Sequence, residues 1–207
     1  MPPKVNDVIT SALADLKDEI KSIHTKLDSH YKLFTTNEKK MKKLESSVND
    51  IEQHQRGHNI RIFGLALPSE DSNDPLSVSQ HVYSLALKPI LEIACEKKSL
   101  PSIPSFLETI DISHTLPSRD NTNPPIIVRL RSKLLRLVIM RHKKSFFTNN
   151  NAPNFSITDD LTRLNAMLLK QTRERSDVSS AWSLNGKIKY KVKSDPVKVL
   201  TASINSL

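Results

Sequence analysis

The sequence predicts a coiled coil followed by an α+β region. That region reads as a split βαβ, ferredoxin-like domain and then a small α+β unit. Three observations predict this. An apolar 3-4 repeat runs over residues 13–55. Between Gly57 and Ile157, strand-like and helix-like stretches follow the order β-α-β-β-α-β. Near the end, an Asn185-Gly186 pair precedes a strand of alternating lysines.

The repeat reads Leu13, Leu16, Ile20, Ile23, Leu27, His30, Phe34, Asn37, Met41, Leu44, Val48, Ile51, with ten of the twelve positions apolar. Steps of three and four residues average 3.5, the period that keeps one stripe facing a partner helix. No proline lies between Pro3 and Pro68, and no glycine precedes Gly57. An unbroken helix here reaches roughly 65 Å. A stripe this narrow stabilises a lone helix poorly, so sister chains are expected to cover it, and residues 5–56 are assigned to oligomerisation. With Leu13 at position a, His30 and Asn37 fall at d. Polar core residues either fix register or simply weaken the middle of the coil, and both readings stand. Lys40 at g and Glu45 at the next e are placed to pair between helices. Phe34 and Met41 occupy a positions where β-branched residues would favour two strands. A trimer is therefore expected ahead of a dimer, with the dimer still open.

About 150 residues remain after the rod, enough for one domain or two very small ones. The chain has three glycines, Gly57, Gly64 and Gly186, too few for a Gly-rich phosphate loop. Its one cysteine, Cys95, excludes internal disulfides and cysteine zinc clusters and reads as a core thiol. The histidines are scattered, so no metal and no cofactor is expected. No signal peptide or long apolar run is evident, which points to a reducing intracellular compartment. The net charge of +9 is unevenly spread. Residues 126–149 hold seven basic residues and no acidic one, and residues 161–207 hold nine against three. Clustered Lys and Arg point to a polyanion; a merely solvated basic face is the plainer reading.

In residues 57–157, Gly57 is suited to end the rod in a left-handed cap. Asn59 to Leu65 alternates as a strand. Pro68 to Pro75 is a polar loop. Val78 to Cys95 is helical, with a kink or a restart near Lys88 enforced by Pro89. Ser99 to Ser105 is a linker. Ile110, Ile112 and His114 mark a second strand. Pro117 to Pro125 is a loop. Ile126 to Leu130 is the third and most apolar strand. Ser132 caps a helix running to about His142. Phe155 and Ile157 mark a fourth strand. This order is the split βαβ arrangement, one sheet with both helices on a single face. The other face is where RNA-recognition domains stack bases on aromatics. Here only Phe63 is available for that, so Arg61, Arg129 and Arg131 are the expected contacts. Lys133, Arg136, Arg141, Lys143 and Lys144, on the following helix and its exit, are expected to hold phosphates without reading sequence.

In residues 158–207, Thr158 or Asp159 is placed to cap a helix through Leu161, Leu164, Leu168 and Thr172, decorated by Arg163, Lys170, Arg173 and Arg175. Asn185-Gly186 then predicts a tight hairpin. After it, Ile188, Tyr190 and Val192 face one way, and Lys187, Lys189, Lys191 and Lys193 the other. Four like charges on one side of a strand repel unless phosphate or water offsets them. Trp182 reads either as core or as a base-stacking platform.

The chain resembles the RNA-binding proteins encoded by the first open reading frame of LINE-type retrotransposons. Ile51-Glu52-Gln53 and Arg56-Gly57-His58-Asn59-Ile60-Arg61-Ile62-Phe63-Gly64-Leu65 are similar to the family's coil exit and first strand. Pro125-Ile126-Ile127-Val128-Arg129-Leu130 resembles its third strand. Ile157-Thr158-Asp159-Asp160-Leu161-Thr162 resembles the start of its C-terminal domain. Ala181-Trp182-Ser183-Leu184-Asn185-Gly186-Lys187-Ile188 resembles its hairpin, and this last match is the most specific. Lys40-Met41-Lys42-Lys43-Leu44-Glu45 is similar to the family's trimer signal, with Lys where Arg is usual. The second strand departs from the family, since Thr115 follows His114 where Arg is common. The resemblance implies an oligomeric, non-catalytic protein that binds single-stranded RNA or DNA and acts as a nucleic-acid chaperone. It also implies packaging of retrotransposon RNA into a cytoplasmic ribonucleoprotein, with the nucleus as a second location, and no membrane partner. The competing reading is a coiled-coil structural or adaptor protein whose basic surface is incidental.

Overall fold

Residues 5–68, 74–118, 123–149 and 154–203 are described by the computed structural model. The expected loops Pro68–Pro75 and Pro117–Pro125 fall partly outside these residues. The chain divides into two units, Met1–Val48 and Asn49–Leu207.

The first unit is built by one helix, α1 (Val5–Gln55), which runs on into the second. All ten apolar positions of the repeat are exposed, from 47% at Ile20 to 68% at Met41. Ile9, four residues before Leu13, carries the same stripe one step further and is also exposed. Tyr31 and Leu33 flank His30 and widen the stripe beside its polar position. An exposed apolar band of this kind is atypical of a surface meant for water.

In the second unit, a 3-10 turn (Arg56–His58) leads from α1 into β1 (Asn59–Phe63). Gly57 lies within that turn and is not left-handed; the glycines with positive φ are Gly64 and Gly186. Then come α2 (Pro75–Val82), α3 (Lys88–Glu96), a short α4 (Phe106–Thr109) and β2 (Ile110–Thr115). After them run β3 (Ile126–Leu130), α5 (Lys133–Asn149), β4 (Ser156–Asp159), α6 (Arg163–Glu174), β5 (Val178–Leu184), β6 (Lys187–Val192) and β7 (Asp195–Thr201).

Local chemistry accounts for most of these boundaries. Asp74 caps α2 by accepting from the Leu76 and Ser77 amides, with Pro75 in the first turn, where its missing N–H costs nothing. The helical pattern continues through a π turn (Tyr83–Leu87) and resumes at Lys88, one residue before Pro89. A reciprocal Ser105–Glu108 capping box starts α4, a helix too short to be seen in the repeat pattern. Ser132 accepts from the Leu134 and Leu135 amides, as its position predicts. The helix it caps continues past His142, where Phe146 and Phe147 pack with Phe155 in an aromatic cluster, Phe147 edge-on to both other rings. Cys95 is half-buried, not a core thiol.

The first four strands form one antiparallel sheet in the order β2-β3-β1-β4. Ile60, Ile62, Ile126, Val128 and Leu130 are buried against Val78, Val82, Leu87, Ile90, Leu91, Leu135 and Ile139 of the helices. Strand alternation therefore puts Arg61, Phe63, Ile127 and Arg129 on the other face. A bulge between Ile110 and Ile112 breaks the alternation of β2. It turns Ser113 inward, where its hydroxyl meets Ser79 Oγ at 2.7 Å, and leaves Ile112 exposed.

The last three strands form a second sheet, β5-β6-β7. Asn185 (φ 52°) and Gly186 (φ 79°) make the two-residue turn between Leu184 and Lys187, with both φ values positive as a type I′ hairpin requires. β7 was not expected from the sequence. Its Pro196 is tolerated because the strand lies at a sheet edge. Thr158 and Asp159 belong to β4, which corrects their expected capping role. Thr162 caps α6 instead, its hydroxyl accepting from the Asn165 amide at 3.2 Å.

Gly186 is constrained twice. A Cβ there would stand 2.5 Å from Cγ of Gln53, and the backbone is left-handed. Gly186→Ala is expected to destabilise the second unit by about 1–3 kcal/mol from the backbone alone, read as a lower urea midpoint. His142 gives a second test. It is buried, its Nε2 lies 2.9 Å from Ser99 Oγ, and burial, followed by the Lys97 and Arg141 charges, lowers its pKa. The unfolded chain then takes up the proton first. Stability from this site is complete above about pH 6.5 and is lost as the pH falls toward the lower folded value. Urea midpoints from pH 7 to pH 5 are expected to fall less steeply in His142→Gln than in the parent chain.

Candidate nucleic-acid interface

The basic residues fall into two groups, and buried carboxylates divide them. Asp160, directly after β4, is 2% exposed. Its Oδ1 receives Arg61 Nε at 2.6 Å and Arg56 NH1 at 3.2 Å, and its Oδ2 receives Asn59 Nδ2 at 3.0 Å. Around it, the end of α1 is fastened to the start of α6. Asn49 accepts the Thr162 hydroxyl at 2.6 Å and donates to Asn165. Gln53 donates to the Asp160 carbonyl and accepts from the Thr162 amide and the Asn165 side chain. Asn165 also donates to the Gly186 carbonyl at 3.0 Å, which ties in the β5–β6 turn.

Asp159 is the second divider. Arg136 NH2 pairs with its Oδ1, while Arg136 Nε reaches the Asn59 carbonyl at 3.1 Å and NH1 reaches Asn185 Oδ1 at 3.2 Å. Arg136 is only 5% exposed. This corrects its expected role, since a guanidinium sealed in this way has no face left for phosphate. Asp159 Oδ2 is buried without a hydrogen-bond partner among the described residues. Lys143 is half-buried and donates to the Ile157 carbonyl at 2.6 Å. Burial lowers its pKa, Asp159 raises it in opposition, and Arg136 lowers it further. Lys143 is thus directed inward as well. Arg61 stays partly exposed but is held by Asp160.

Other expected contacts face water. On α5, Lys133, Arg141 and Lys144 recur at i, i+8 and i+11, one exposed face of the helix. Beside them on the same helix, Leu134 and Leu137 are also exposed. Arg129 is exposed and pairs with Asp111 at 3.2 Å, and Arg131 is exposed with its Nε 3.4 Å from the Ile110 carbonyl. On α6, Arg163 is exposed, Lys170 makes a loose 3.9 Å pair with Glu174, and Arg173 donates to the Ala181 carbonyl. Arg175 is less available. It is bound at two points by Asp177 and lies 5.1 Å over the Tyr190 ring. That clamp holds the Asp177 carboxyl below its usual value.

The lysine side of β6 follows the alternation for Lys187, Lys189 and Lys191, while Lys193 falls in the turn after Val192 and not on the strand. Ile188 is buried at 1% exposure, so Lys187 and Lys189 lie on the opposite face of the sheet. Lys187 and Lys193 are exposed, and Lys189 and Lys191 are half-buried. Trp182 sits directly across from Lys189 in the strand register and is itself half-buried. Directly opposed residues share a face, so Trp182 lies among the lysines and outside the buried core.

The sequence reading missed the fastening of α1. Asn49, Gln53 and Arg56 recur at i, i+4 and i+7, a polar stripe on the side of the helix away from Val48 and Ile51. That spacing was the available signal. No family model matches the chain and no curated protein matches it. Among the described residues no helix is long and apolar enough to cross a membrane, and no group of His, Cys, Asp and Glu gathers closely enough to hold a metal ion.

The inward and outward arginines of α5 should separate by measurement. Arg136→Ala leaves a buried carboxylate unpaired and is expected to cost about 3–5 kcal/mol. Arg141→Ala, on the exposed face, is expected to stay within about 0.5 kcal/mol. Equal urea midpoints for the two variants would overturn the division.

Proposed function

We propose that the chain is a non-catalytic, oligomeric protein that binds single-stranded nucleic acid. The observation carrying this is a group of the expected contacts that reach water without a carboxylate ion pair among the described residues: Lys133, Arg141, Lys144, Arg163, Lys187 and Lys193, with the half-buried Lys191 beside them. Buried or paired arginines serve the fold, whereas these seven lack an ion pair, Lys133 having only a 3.5 Å contact with the His54 ring, and phosphate is the ligand their chemistry suits. The strand order β2-β3-β1-β4 is that of a split βαβ domain and supports the RNA-recognition-like reading. The likeness to LINE first-frame proteins points the same way, toward a cytoplasmic ribonucleoprotein.

The exposed stripe on α1 supplies the second half of the reading. In this proposal it closes a coiled coil, a trimer ahead of a dimer, that gathers several weak sites. Linked sites hold a strand through effective concentration while each still lets go quickly. That combination of grip and exchange is what a nucleic-acid chaperone needs.

The test is a titration of a labelled single strand across salt, with the full chain and with a chain beginning at Asn49. The cut falls there because Asn49 and Gln53 belong to the second folded unit. The full chain is expected to lose affinity linearly in log–log form, with a slope of about −0.7 per phosphate neutralised on a single strand. The shortened chain is expected to bind at least about tenfold more weakly while keeping its urea midpoint. A flat salt dependence would favour the adaptor reading.

A further inference from the structure

The second sheet presents an outward face whose make-up is more specific than a basic patch. Trp182 of β5, Lys189 of β6 and Thr201 of β7 stand in one row across all three strands. Lys189 Nζ donates to Thr201 Oγ1 and is thereby held beside the indole. The neighbouring rows oppose Leu184 to Lys187 and Ser180 to Lys191. None of the residues in these rows is acidic. Ser180, Leu184, Lys187 and Thr201 are exposed, so water reaches the face from several sides. The indole makes no hydrogen bond and no ring contact among the described residues. Buried tryptophans usually satisfy their N–H; this one is half-buried with that group unused.

Resting on the proposed function, we infer that this face is a base-stacking site in which Trp182 takes one unpaired base while Lys187, Lys189 and Lys191 hold the flanking phosphates. Stacking on an aromatic ring is open to every base, because each has a π-face. Lysines spaced by two along a strand lie roughly 6–7 Å apart, close to the phosphate spacing of an extended single strand. A duplex hides its base faces, so the site selects single strands without reading their sequence. Double-stranded nucleic acid and a protein partner are the alternatives the test separates.

Trp182 is the only tryptophan of the chain, so its emission reports this site alone. The unmodified full chain is titrated with an oligothymidylate, following both indole emission and the anisotropy of a label on the strand. The expected result is quenching that tracks the anisotropy isotherm, together with protection of the indole from acrylamide. A duplex of equal length is expected to bind with little quenching. Trp182→Ala is expected to weaken strand binding about tenfold, and Trp182→Phe less. Strand binding with unchanged emission and unchanged acrylamide access would overturn the stacking site while leaving the proposed function standing. Equal affinity of Trp182→Ala and the parent chain would do the same. Failure of the labelled strand to bind at all would defeat both. The emission arm needs no variant, so a misfolded substitution leaves the test intact.

Discussion

The carboxylate of Asp160 is where the second unit is held together. Two guanidinium groups and a side-chain amide meet it in a place almost without water. Charge-assisted bonds of this kind are roughly twice as strong as neutral ones, and a buried carboxylate with one partner removed is costly. The donors come from the 3-10 turn after α1 and from β1, and the acceptor lies between β4 and α6. The Asn49, Gln53, Thr162 and Asn165 side chains complete the same junction, and through Gly186 the β5–β6 turn joins it. Three stretches distant in sequence, 49–61, 160–165 and 185–186, therefore share one polar fastening.

That fastening explains how the basic residues are divided. Charge alone cannot distinguish Arg136 from Arg141, since both lie on α5 within a run free of acids. The distinction arises from which side of the helix meets Asp159. Arg56, Arg61, Arg136 and Lys143 face the junction and are spent on it. Arg141 lies about 140° around the helix from Arg136 and faces water, and Lys133 and Lys144 are exposed between the two. A net charge of +9 thus overstates what a ligand meets, and the outward residues are the relevant subset.

Much of the fold is legible in the sequence where local chemistry decides it. Ser132 as a cap, the helix restart before Pro89 and the Asn185-Gly186 turn all follow from short-range rules. At Thr158 and Asp159 local chemistry favours a cap, because an acid at a helix start is ordinarily favourable. What overrode that was tertiary: Arg136 arrives from a helix some twenty residues earlier and claims Asp159 for an ion pair. The β2 bulge was hidden for a similar reason, because the Ser79 hydroxyl that draws Ser113 inward lies in α2. Of the candidate interface, the lysine alternation of β6 was visible. The two-residue turn also sets Trp182 opposite Lys189, but whether the indole is covered depends on which face of the sheet α6 packs against, and that is tertiary.

The contact between Gln53 and Gly186 limits how this sequence can drift. In an isolated I′ hairpin, Asn could replace Gly at the second turn position, because it tolerates the left-handed backbone. Here the space a side chain would need is filled by Gln53, whose own amide is committed at both ends. A larger residue at 186 therefore requires a smaller one at 53, and a smaller residue at 53 surrenders three bonds of the junction. The two positions are bound into sign epistasis: each change is harmful alone, and even the pair together does not restore what the original residues supplied.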